Sequence, residues 1–221
     1  MAQVSSSSMG SPQRLPQLLS PLPSSCLEGV DLKGWDPLPT ESRDSNGMEL
    51  AFILARSSVC RSGSMGCAIA APDGTVLVCA TNGPLWEVGG QRPSSDLHAE
   101  VRAIGFCAER GLSTRGASIY ITMPPCKQCF MVIASCGISR IVTRKNFLPT
   151  EYAKIIKAAE RLEIELVVEQ DSPERLQRVD TIFGTKRRPD AAVPPCKRAD
   201  IDRAVASVEM QAEHQPDKDD P

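Results

Sequence analysis

One histidine and two cysteines, His98, Cys126 and Cys129, are of the kinds and at the spacing that hold a tetrahedral Zn²⁺. Three protein ligands leave a fourth corner for water, as a catalytic zinc requires and a structural one does not. Glu100 follows His98 by two residues, so on a helix its carboxylate points away from the imidazole and is a poor fourth ligand. It stays close enough to exchange protons with a water at the metal. Cys126 and Cys129 are three apart and follow Pro125 at an expected helix start, where they share a face and meet the positive end of the helix dipole. That end favours thiolates. The chemistry implied is hydrolytic: water activated at the metal acts as the nucleophile, and Glu100 carries the protons.

A lone Cys-x-x-Cys also fits a redox pair or half of a zinc ribbon. No second Cys-x-x-Cys exists here, and the other histidine is His214, far along the chain. A closed four-ligand site would need Cys107 or Cys136, for which no spacing argues.

The elements that must position these groups follow from periodicity. A helix capped by Asp44, Ser45 or Asn46 carries Leu50, Ile53 and Leu54 on one side and runs to about Cys60. Gly66 to Ala71 and Thr75 to Thr81 read as strands joined by the tight turn Pro72-Asp73-Gly74. A loop from Leu85 to Leu97 leads to a helix that begins at Asp96 to His98, turns Val101, Ile104 and Ala108 inward, and ends at Gly111. Ala117 to Met123 is a buried strand, Pro125 opens a helix ending at Gly137, and Ile138 to Thr143 is a strand. Thr150 to Arg161 is a helix and Glu163 to Glu169 a strand; a last helix from about Pro173 presents Leu176, Val179 and Phe183. This alternation predicts an α/β protein of three layers, α/β/α, around a mixed sheet of about five strands.

The globular domain is expected over residues 44–184, after an N-terminal extension and lead-in over 1–43 and before a C-terminal tail over 185–221. Residues up to about Ser25 are rich in Ser and Pro with Arg14 as the only charge, a composition that disfavours a core. The same stretch has some features of an organelle transit peptide, but one arginine is few for that role. In the lead-in, Leu32, Trp35 and Leu38 are candidates to pack on the domain. Lys186-Arg187-Arg188 is read as a solvated charge run rather than a localisation signal.

A net charge of −2 gives no global reason to expect a nucleic-acid partner and favours a small substrate. Nine cysteines, two in the metal motif and several in apolar runs, point to a reducing compartment, and a cytoplasmic location is expected. No apolar run approaches the ~18 residues of a membrane span, so no membrane partner is expected.

His-x-Glu followed by Pro-Cys-x-x-Cys is the signature of zinc-dependent nucleobase deaminases. From about Glu49 to Val168 the chain resembles the cytidine and deoxycytidylate deaminase superfamily in motif and element order. The blocks most similar to deoxycytidylate deaminases are Gly116 to Thr122 and Cys136 to Val142. The resemblance implies a cytidine deaminase-like fold and a hydrolase that removes an exocyclic amine from a cytosine nucleotide or nucleoside, dCMP first. It implies zinc on His98, Cys126 and Cys129, Glu100 as proton shuttle, Asn82 on the substrate's sugar or base, and Ala99 presenting its backbone to the base. A plain turn residue is the alternative for Asn82. Where deoxycytidylate deaminases commonly carry asparagine two residues after the motif glutamate, this chain has Arg102, a candidate for a substrate phosphate or for a solvated ion pair. A homo-oligomer is also implied. tRNA adenosine deaminases share the two blocks and are the less favoured reading, with free-base deaminases behind them. The reading from another class is a zinc-binding partner subunit without activity, against which Glu100 argues. A tRNA-acting rim would draw on Arg92, Arg102, Lys127, Arg144 and Lys145.

Overall fold

The computed structural model describes residues 32–60, 63–85 and 95–184. The readings of the N-terminal 31 residues, of the tail from 185, and of Arg92 in the loop lie outside these.

The chain alternates in the order α1 (Arg43–Ser57), β1 (Gly66–Ala70), β2 (Val76–Thr81), α2 (Ala99–Glu109), β3 (Ser118–Ile121), α3 (Lys127–Ser135), β4 (Arg140–Thr143), α4 (Pro149–Arg161), β5 (Glu165–Val168) and α5 (Pro173–Phe183). The strands form one mixed sheet in the order β2-β1-β3-β4-β5. β1 runs antiparallel to both β2 and β3, whereas β3, β4 and β5 are parallel. The hairpin forms because Pro72-Asp73-Gly74 can turn: Gly74 takes a φ of 95°, and the Asp73 carboxylate accepts from the Thr75 amide at 2.9 Å.

Side-chain alternation divides the core between the two faces. Cys67, Ile69, Val78, Ala80, Ile119, Ile121 and Ile141 point to one side and pack with Ala103, Ile104, Phe130, Ile133, Ile155 and Ala159 of α2, α3 and α4. Ala68, Ala70, Val76, Cys79, Tyr120 and Val142 point to the other and pack with Met48, Leu50, Ile53 and Leu54 of α1 and Val179 of α5. The result is the expected three-layer α/β/α arrangement. The inner strands read as unbroken apolar runs because both faces are covered.

Several local expectations are corrected. The cap of α1 is Ser42, whose hydroxyl accepts from the Ser45 amide at 3.0 Å. Asn46 instead grips the lead-in, accepting from the Leu38 amide at 2.8 Å and donating to the Leu38 carbonyl at 2.9 Å. Leu32 and Trp35 are buried against α1 and α5, while the Leu38 side chain is exposed. Helix α2 is rotated from the expected face: Ala103, Ile104 and Cys107 are buried, Val101 is half-buried and Ala108 is exposed. The apolar periodicity could not locate that face, because small Ala and Cys residues suffice to fill the contact with β1 and β2. Helix α3 starts at Lys127 rather than Pro125, since Cys126 is extended (φ −67°, ψ 168°) and caps the helix.

Candidate active site

Strand β3 ends at Ile121, and a bend at Thr122 and Met123 leads through Pro125 and the extended Cys126 into α3 at the carboxyl end of the parallel strands. Helix α2 packs beside α3 on the same sheet face. Two helix N-termini therefore converge, and the candidate metal ligands lie at their caps and first turn. His98 is the N-cap of α2, Cys126 is the N-cap of α3, and Cys129 is the third residue of α3. The Cys126 sulfur accepts from the Cys129 amide at 3.5 Å, doing for this helix what a serine hydroxyl usually does.

The His98 Nδ1 lies 3.3 Å from Cys129 Sγ and 3.8 Å from Cys126 Sγ, and all three donor atoms fall within 4.8 Å of one another. A tetrahedral zinc with its usual bond lengths separates a nitrogen from a sulfur ligand by about 3.6 Å, so the donor set fits that ion without rearrangement. Among the described residues this is the one group of three or more His, Cys, Asp or Glu side chains able to hold a metal. Cys107, which a closed site would have recruited, sits in the core cluster and does not join it.

Electrostatics around the group depend on burial. Glu100, the second residue of α2, is 3 % exposed. Burial raises its pKa, against the lowering effects of a backbone amide, His98 and a hydrogen bond from Cys129. A carboxyl raised in this way holds a proton more readily than a free one, which suits a group that carries protons. The Cys129 thiol is pushed well up, first by burial and then by the Glu100 carboxylate. A bound cation would reverse that order, because a coordinating thiol loses its proton to solvent and binds as the thiolate.

The substrate-side candidates are placed differently. Ala99 is fully buried at the first turn of α2. Asn82, just after β2, is also fully buried, and its amide is engaged on both sides. Its oxygen accepts from the Met65 amide and the Ser58 hydroxyl, each at 2.8 Å. Its nitrogen donates to the Gly63 carbonyl at 2.8 Å and the Ser95 hydroxyl at 2.5 Å. Sequence reasoning missed Ser58 and Ser95, and no pattern could have found them, since they lie 24 and 13 residues from Asn82. Arg102 donates from Nη1 to the Thr81 carbonyl at 3.4 Å and stands over the Phe106 ring. Arg144, a rim candidate, pairs with Asp171 and covers the Phe52 ring.

Stretches of this chain are similar to known proteins. Over 48 residues the chain is 44% identical to the deoxycytidylate deaminase of Enterobacteria phage T2, a match covering 22% of this chain and 26% of that protein. It is 32% identical over 94 residues to the ComE operon protein 2 of Bacillus subtilis (strain 168), covering 40% of this chain and 50% of the relative. The chain thus spans between a quarter and a half of the length of these curated relatives. Among solved structures, the dCMP deaminase from the cyanophage S-TIM5 in apo form is similar with a TM-score of 0.47 and 21% identity, over 57% of this chain and 96% of that one. Residues 41–145, which hold both converging helix starts and the hairpin beneath them, match the model of the cytidine and deoxycytidylate deaminase zinc-binding region, and over that stretch the chain is similar to this family.

Proposed function

We propose that this chain is a zinc-dependent hydrolytic deaminase that removes the exocyclic amine of a cytosine nucleotide or nucleoside, with dCMP the preferred substrate. The observation that carries the reading is the meeting of His98, Cys126 and Cys129 at two helix N-termini with the buried carboxylate of Glu100 beside them. Zinc, when bound by the imidazole and the two thiolates, supplies a Lewis acid that makes water a nucleophile near neutral pH. Glu100 takes the proton released by that water, delivers it to the ring nitrogen next to the amine-bearing carbon, and then passes a proton to the departing amine. The balance is one water consumed and one ammonia released, with the amine replaced by a carbonyl. The backbone at Ala99 borders the base in this reading. Asn82 reaches the substrate only by exchanging its Ser95 bond, the one of its four that ties it to the segment before His98.

A small substrate is supported by how the cations are used. Arg140 is held by Asp44 and Glu165, Arg144 by Asp171, and Arg175 by Glu169. An extended polyanion needs several uncommitted cations.

The test is ammonia release from cytosine, cytidine, deoxycytidine, CMP, dCMP, guanine and a tRNA with adenosine at the wobble position, each at low and high salt. Turnover is expected with dCMP first, then the nucleosides, and with weak salt dependence. Activity confined to the tRNA and falling steeply with salt would overturn the small-substrate reading. No turnover with any of them would leave a zinc-binding partner subunit.

A further inference from the structure

Arg102 stands where a phosphate ligand was expected, yet its surroundings describe another task. Its Nη1 donates to the Thr81 carbonyl at 3.4 Å, and its guanidinium lies 5.4 Å from the centroid of Phe106 on the next turn of α2. The same nitrogen is 3.5 Å from the point where a side chain on Gly83 would begin. Gly83 in turn exchanges two backbone bonds with Leu97, donating at 3.1 Å and accepting at 3.0 Å. Leu97 precedes His98, and the His98 carbonyl accepts from the Arg102 amide at 3.1 Å. A closed circuit results: α2, Arg102, the end of β2, Gly83, Leu97 and back to the metal-ligating histidine.

We infer that Arg102 is a positioning residue that fixes the Thr81-Asn82-Gly83 segment against the start of α2, and that it does not bind the substrate's phosphate. Planarity suits the guanidinium to this place, since one face covers the Phe106 ring while an edge reaches a backbone carbonyl. The position differs from the asparagine common in deoxycytidylate deaminases, and the circuit gives a reason for a longer side chain here. The kinetic part of this inference rests on the deaminase reading; the circuit itself does not.

The experiment compares the zinc-loaded full chain with Arg102→Ala and Arg102→Lys. Amide hydrogen exchange at Asn82 and Gly83 is followed, together with kcat and KM for dCMP and deoxycytidine. In Arg102→Ala the two amides should exchange at least tenfold faster, and kcat/KM should fall by the same factor for the monophosphate and the nucleoside. Arg102→Lys should restore part of both, because an ammonium reaches the carbonyl but gives the ring no planar cover. A loss confined to the monophosphate overturns the inference, and so does unchanged exchange at Gly83. If the parent chain deaminates neither compound, the deaminase reading has failed and the exchange measurement alone decides the role of Arg102.

Discussion

At the scale of single residues, the proposed site separates binding of the ion from movement of the proton, and variants of Cys129 and Glu100 test the two independently. Cys129 is 1 % exposed and is a ligand candidate as well as the third residue of α3. Cys129→Ala should lower zinc content well below one per chain and lower the melting temperature, because metal binding is coupled to folding. Metal analysis and a thermal scan check this, and full zinc retention would remove the site as drawn. Glu100→Gln keeps the shape of the side chain but cannot accept the proton. Zinc content and fold should persist, while deamination falls by about 10²–10⁴-fold. Undiminished turnover in this variant would eliminate the proton-carrying role.

At the scale of elements, the placement of the site depends on α1 lying close to β1. A Cβ on Gly66 would come within 2.0 Å of the Ala51 carbonyl oxygen and 2.6 Å of the Ala55 amide nitrogen. Both atoms are helix backbone, so the helix must move as a body. Gly66→Ala should therefore destabilise the fold by at least about 1–3 kcal/mol, as read from chemical denaturation. A shift under half that would mean that α1 is free to slide. The other end of the contact is pinned electrostatically: Arg140, leading β4, donates to both oxygens of Asp44 in the first turn of α1 at 2.5 and 2.7 Å. Tyr120, buried beneath, has its hydroxyl pKa pushed up to about 12 by burial, so it remains neutral under any working condition.

At the scale of the whole molecule, the lead-in is part of the folded unit. Trp35 is 4 % exposed among residues of α1 and α5, and Asn46 holds the backbone of Leu38 in two bonds. Arg178 of α5 completes the join, donating to the Asp36 carbonyl at 2.6 Å and to Glu49 of α1 at 3.0 Å. Trp35→Ala should cost about 3–5 kcal/mol, measured by urea unfolding, because the indole leaves a cavity that three elements cannot close together. A loss below about 1 kcal/mol would show that the lead-in rests on the surface. None of the helices among the described residues is long and apolar enough to cross a membrane.

The sequence by itself determined the candidate ligand set and the order of elements. Ligand type and spacing are local properties, so His98, Glu100, Cys126 and Cys129 were legible before any fold. Strand and helix periods are local too, which is why the hairpin at Pro72-Asp73-Gly74 and the alternation from β3 to α5 were read with bounds within a few residues. Tertiary structure alone decided which face of α2 is buried, since Ala103 and Cys107 are too small to mark an apolar stripe but fit against a close-packed sheet. It also decided that Cys126 caps α3 instead of lying within it, because the thiol must turn toward a histidine 28 residues away. The partners of Asn82 and Arg102 belong to the same class. A buried amide or guanidinium takes whichever donors and acceptors the packed chain brings to it, and those come from segments 13 to 24 residues distant that no local pattern connects.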